Sequence, residues 1–189
     1  DLKVVNQDLE IMTESMVKSQ SHHANTELVQ ELTENTVTGG VAMINHALAE
    51  MWQETDDILM HDWYLALLAS AFGNLVFIDQ PGELYRQHSD NVLGARTLSK
   101  RFKKWIRPHI LFAVYWDLIK NSQKQARHLL QMPLSQSNRE LIEAFVTIMD
   151  KSMLGRFRIL RKYGLRKNKA FHTLVFTTLI VTKFAYKKE

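Results

Sequence analysis

The run from Asp62 to Phe72 constrains the fold of this chain more than any other segment. Its residues Trp63, Leu65, Leu67, Leu68, Ala69 and Phe72 make a helix that is apolar nearly all round. A helix without a polar face belongs inside a core. Gly73 stands where a C-cap is expected. The chain can supply that core: it has 189 residues, of which 46% are hydrophobic and 23% charged. That is enough for one compact domain, or one domain with an appendage.

The pattern around that helix is mixed before Thr97 and uniform after it. Leu2 to Val5 reads as a strand, and about 25–35 as a helix with Leu28 and Leu32 one turn apart, capped by Asn25 or Thr26. Thr38 to Ile44 reads as a strand led by Gly39-Gly40, and Asn45 as the cap of a helix from His46 to Met51. Asp56-Asp57 marks a loop. Leu75 to Ile78 reads as a short buried strand, Gln80-Pro81-Gly82 as a turn, Leu84 to His88 as a strand and Ser89 to Ala95 as a loop. After Thr97 all segments read as helix: Ser99 to Ser122 with Pro108 as a kink or break, then about 122–131, 137–163 and 168–186. Met132-Pro133 and Tyr163-Gly164 are the breaks. The expected fold class is therefore α+β and predominantly helical, with a few short strands followed by a C-terminal helical bundle. The expected division is 1–97 and 98–189. The apolar run Thr173 to Val181 is too short to cross a bilayer.

Charge follows a different division. Lys151 to Glu189 holds 11 basic residues and one acid, a net of +10, which leaves the first 150 residues with 13 basic and 19 acidic, a net of −6. Arg156, Arg158, Arg161, Lys162, Arg166, Lys167 and Lys169 alternate with Phe157, Ile159, Leu160, Tyr163 and Leu165. The plain reading is an amphipathic helix with solvated charge. The sharper one is peripheral attachment to an anionic membrane surface. No nucleic acid is expected as partner, because no nucleic-acid-binding motif accompanies the charge. The chain has no cysteine, which excludes disulfides and thiolate metal sites. It contains no P-loop, GxGxxG, HExxH or nucleophile-elbow motif.

Few residues are placed to carry chemistry. Asp62 stands at a loop-to-helix junction, where Asp is a common N-cap; it could equally serve as a general base. His88 ends a strand, as a structural hydrogen-bonding residue or a metal ligand. Arg86 could pair with a carboxylate or meet a phosphate. Gly39-Gly40 permits either a bend or close approach of a ligand to the backbone. His22-His23 reads as a solvated loop pair.

Taken in order, four pieces resemble bacterial family-2 glycosyltransferases of the rhamnosyltransferase type: Thr38-Gly39-Gly40-Val41-Ala42-Met43-Ile44-Asn45, Met60-His61-Asp62-Trp63-Tyr64-Leu65, Phe72-Gly73-Asn74-Leu75-Val76-Phe77-Ile78-Asp79 and Tyr85-Arg86-Gln87-His88-Ser89-Asp90-Asn91. The resemblance covers about residues 1–97. It implies the acceptor-side portion of a GT-A domain, truncated before the nucleotide-binding half. Asp62 is then the expected catalytic base. Gly39, Gly40, His61, Trp63 and Arg86 are the expected substrate contacts, and His88 a metal ligand.

The resemblance also implies an inverting transfer, with rhamnose as the suggested sugar, from a nucleoside-diphosphate sugar donor to a glycan or lipid-linked acceptor in polysaccharide biosynthesis. A divalent cation (Mg or Mn) is expected in the full-length enzyme and none bound to this chain. The location implied is cytoplasmic, at the inner face of the cell membrane if the basic tail meets lipid. The family's DxD-type motif does not occur here, and Asp1 to Val5 resembles the strand that follows it. The chain alone is therefore expected neither to hold the nucleotide nor to turn over. The competing expectation is a non-catalytic helical adaptor or membrane-surface binding module, in which Asp62 is only a cap.

Overall fold

The computed structural model describes residues 1–52, 58–87 and 108–187. The Asp56-Asp57 loop, His88, the loop from Ser89 to Ala95, the division near Thr97 and the helix expected between Ser99 and Arg107 lie outside the described residues.

The first strand, β1 (Leu2–Val5), is the middle of a small mixed sheet. It buries Leu2, Val4 and Val5, as a β-branched run with neighbours on both edges should. β2 (Ile11–Thr13) returns antiparallel beside it, with a register irregularity between Val4 and Val5. β3 (Glu83–Arg86) pairs parallel on the other edge, Leu2 opposite Glu83 and Val5 opposite Arg86. The order is β2-β1-β3. A parallel pair needs a crossover connection, and the chain between Thr13 and Glu83 provides it. That connection holds α1 (Met16–Ser21), α2 (Leu28–Glu31), α3 (His46–Glu50) and α4 (His61–Phe72).

The apolar helix is the centre of the structure. α4 buries Trp63, Tyr64, Ala66, Leu67, Leu68 and Ala71. Its cover comes from both directions in the sequence. α2 contributes Leu28, next to Leu32. α3 lies beside α4, α5 (Pro108–Leu129) packs on it from the C-terminal side, and α6 (Gln136–Val146), α7 (Met153–Tyr163) and α8 (Ala170–Thr182) extend the same core. Trp116, Ile119, Ile142, Phe145, Leu160, Leu165, Phe176 and Ile180 join Trp63, Leu67 and Leu68 in one apolar cluster. The fold is α+β and mostly helical.

Several local expectations hold. Asn45 caps α3 by accepting from the Leu48 N–H at 2.9 Å, and Gly73 follows α4 with its N–H on Ala69 O. Gly164 ends α7 in the left-handed conformation at φ 68°, where glycine is favoured.

Other expectations are corrected. Thr38 to Ile44 is not a strand: Gly39–Val41 is a single 3-10 turn, and Met43 beyond it is 97% exposed. Leu75 to Ile78 is not a buried strand either; Val76 and Ile78 project into solvent. An apolar run of that length does not by itself distinguish a strand from an extended segment. The helix over 25–35 contracts to α2, because a Glu27/Gln30 capping box starts it later and Asn25 instead binds Glu34 O and Thr36. Ser122 makes no break. It lies mid-helix in α5, and its hydroxyl donates to Leu32 O at 2.6 Å. The stretch 137–163 divides at a 3-10 turn, Ile148–Asp150, after which Ser152 caps α7.

Candidate functional site

α4 begins without a side-chain cap. Its N-cap is Met60, so Asp62 lies inside the first turn rather than at the cap. The carboxylate turns back over the helix start, where orphan N–H groups and the positive end of the helix dipole favour an anion. Oδ1 accepts from the Trp63 N–H at 2.7 Å and from the Asn35 amide at 3.4 Å. Oδ2 accepts from the Gly39 N–H at 3.2 Å. Asp62 is buried, with a small edge open to solvent.

The Gly39-Gly40 turn closes against that helix start. A Cβ on Gly39 would stand 2.6 Å from His61 Nε2, and one on Gly40 would stand 3.0 Å from Glu83 Oε2. A Cβ at either position would displace the tip of an exposed side chain, so these glycines serve close approach and not an unusual φ. The turn thus brings His61, Asp62 and Glu83 to one place. A shallow depression lined by Lys3, Pro81, Gly82, Glu83 and Leu84 continues from Glu83 along the sheet edge.

The remaining expected contacts lie elsewhere. Trp63 is inside the core, and its indole N–H donates to Glu31 O at 2.7 Å, so its ring joins α4 to α2. Arg86 follows Glu83 on β3 by three residues. Strand alternation therefore puts Glu83 and Tyr85 on one face and Leu84 and Arg86 on the other. Tyr85 packs on the Leu2, Val4 and Met16 cluster that Val41 also touches. Arg86 thus lies across the sheet from Gly40. His88 is outside the described residues.

Three residues of this region carry no signal in the sequence. Asn35 joins Asp62 to the backbone of Val37, donating to Val37 O and accepting from Val37 N–H. Glu83 faces Gly40 across the sheet edge. Glu31 is fully buried, and burial pushes its carboxyl up to about 8, against the downward pull of its Thr36 hydrogen bonds. The negative charges of Glu34 and Asp62 add to the rise. The roles of Asn35 and Glu83 depend on partners distant in sequence, and that of Glu31 on burial by the tertiary fold, so no local spacing could have announced them.

Among the described residues, no group of three or more His, Asp or Glu side chains is spaced to hold a metal ion. The oxygens of Asp62 face N–H donors, which suits an anion and not a cation's ligand. His88, the expected metal ligand, lies outside the described residues, and no chemical step is assigned to a metal ion. No helix among the described residues is long and apolar enough to cross a membrane. Comparison with protein-family models, with curated proteins and with solved structures finds no match to this chain.

Proposed function

We propose that this chain is the acceptor-side portion of a GT-A glycosyltransferase of the family-2 type, with Asp62 as its general base. One observation carries the reading: the Asp62 carboxylate is held at the start of a buried helix by the Trp63 N–H, the Asn35 amide and the N–H of the Gly39 turn. A base for sugar transfer must be fixed against a rigid element within reach of the acceptor hydroxyl. The anchored α4 provides the rigidity, and Asn35 with the Gly39 N–H sets the orientation.

In this reading the acceptor hydroxyl gives its proton to Asp62 as its oxygen attacks the anomeric carbon. The bond from that carbon to the diphosphate oxygen breaks with inversion, and the nucleoside diphosphate leaves with the electron pair. His61 borders the same opening. The sugar, the acceptor and the diphosphate contacts from Arg86 and His88 belong to this proposal.

The test uses the protein that carries this chain together with a nucleotide-binding half. Release of nucleoside diphosphate from a panel of nucleoside-diphosphate sugars is measured with glycan acceptors present. Asp62→Asn is expected to lower turnover by about 100-fold or more and to leave donor binding unchanged. Near-normal turnover in that variant would end the assignment. Absence of transfer from every donor would favour the helical adaptor.

A further inference from the structure

The outer face of α7 has no role in the site described above. Arg156, Ile159, Leu160 and Tyr163 occupy its inner half, with Arg156 and Leu160 fully buried. At about 100° per residue, Leu154, Phe157, Arg158, Arg161 and Lys162 fall on the opposite half, Met153 stands at the N-terminal end of the helix, and all six are exposed. The three apolar members are 62%, 55% and 45% exposed respectively. The three cations lie among them and beyond them on the same half. No acidic residue occurs between Lys151 and Lys188 to neutralise them. The following helix continues the character, with Phe171 55% and Leu174 65% exposed.

We infer that this face of α7 is a docking surface for an anionic lipid bilayer, with Met153, Leu154 and Phe157 entering the headgroup boundary and Arg158, Arg161 and Lys162 meeting lipid phosphates. Two large apolar side chains on the exposed half of a helix, with a third exposed at its first residue, are costly in water and suited to the acyl boundary. Interleaved long cationic side chains can keep their heads at the headgroup level while their stems lie along apolar surface. The bilayer is met from outside and not crossed: α8, the most apolar helix, is about 20 Å long at 1.5 Å per residue, against about 30 Å of hydrocarbon. It also uses Phe176, Leu179 and Ile180 for the core. A nucleic acid would account for the cations but not for the three apolar side chains among them. This inference does not depend on the transferase reading, since lipid binding needs neither donor nor acceptor.

Co-sedimentation of the chain with lipid vesicles tests it. Vesicles of phosphatidylcholine alone are compared with vesicles containing phosphatidylglycerol, with a DNA duplex as control. Strong binding to the anionic vesicles, weakened by salt, is expected. Arg158→Gln with Arg161→Gln should lower the partition coefficient by about 30-fold, at about fivefold for each charge. Leu154→Ser with Phe157→Ser should lower it at least tenfold, and this loss should persist at low salt. All four side chains are exposed, so melting temperatures should match the parent. The inference fails if neutral and anionic vesicles bind equally, if neither binds, or if either double variant keeps parental binding. It fails equally if the duplex binds and the vesicles do not.

Discussion

At the scale of single residues, the site depends on how two carboxyls are treated. Asp62 faces N–H donors on both oxygens, whereas Glu31 is enclosed and has an oxygen without a partner among the described residues. Burial of Glu31 has a consequence for stability. Its carboxyl is shifted from the usual 4.5 up to about 8. Between those values the folded chain keeps a proton that the unfolded chain has lost, so stability falls as pH rises through that window. The slope from this one group is at most about 1.4 kcal/mol per pH unit. Glu31→Gln keeps the shape without the titration. Urea midpoints at pH 5.5 and pH 8 should show the parent losing more stability than the variant, and the variant the more stable at pH 8. Equal slopes for the two proteins would contradict the assignment.

At the scale of elements, α7 illustrates how alike residues divide between structure and surface. Arg156 and Arg158 are two positions apart, and nothing in their local sequence separates them. Arg156 is buried; its Nε and Nη2 donate to Val181 O at 3.1 and 2.7 Å, and its Nη1 donates to Lys151 O. It satisfies a carbonyl in the last turn of α8 and fixes α7 to that end. Arg158 is exposed. Arg156→Met should cost about 3 kcal/mol in urea unfolding, because it removes charge-assisted bonds between a buried guanidinium and a part-buried carbonyl. Arg158→Gln should change stability by no more than about 0.5 kcal/mol. Comparable costs for the two variants would show that the Val181 link is unimportant. α4 is the opposite case. Its composition is enough to read it as buried, because it has no polar face.

At the scale of the whole molecule, the basic tail and the candidate site belong to one structure. The segment joining α7 to α8 reaches back to the chain that follows α2. Thr33 donates to Arg166 O at 2.6 Å, Lys167 donates to Thr33 O, and the Asn168 N–H donates to Glu34 at 2.9 Å. Lys169 donates to Ser19 O at 3.0 Å. A chain ending at Tyr163 loses these links along with Leu165, Phe176, Leu179 and Ile180 from the core cluster. It should lack the near-ultraviolet circular dichroism of a packed core and a cooperative melt; a retained native spectrum with a sharp transition would oppose this account. Legibility followed the range of the interactions. The α4 helix, β1, the Asn45 cap and the Gly164 stop could be read from the sequence, because local periodicity, β-branching and backbone restriction decide them. The ends of α2 and the continuity of α5 through Ser122 could not, because distant partners decide those. The helix from Asp62 to Phe72 shows both sides. Its composition alone determined that it must be buried, since apolar surface all round has no stable place in water. Which elements cover it, and whether Asp62 at its start meets a cap, a glycine turn or solvent, were decided only when the tertiary structure brought Asn35, Gly39 and the C-terminal helices to it.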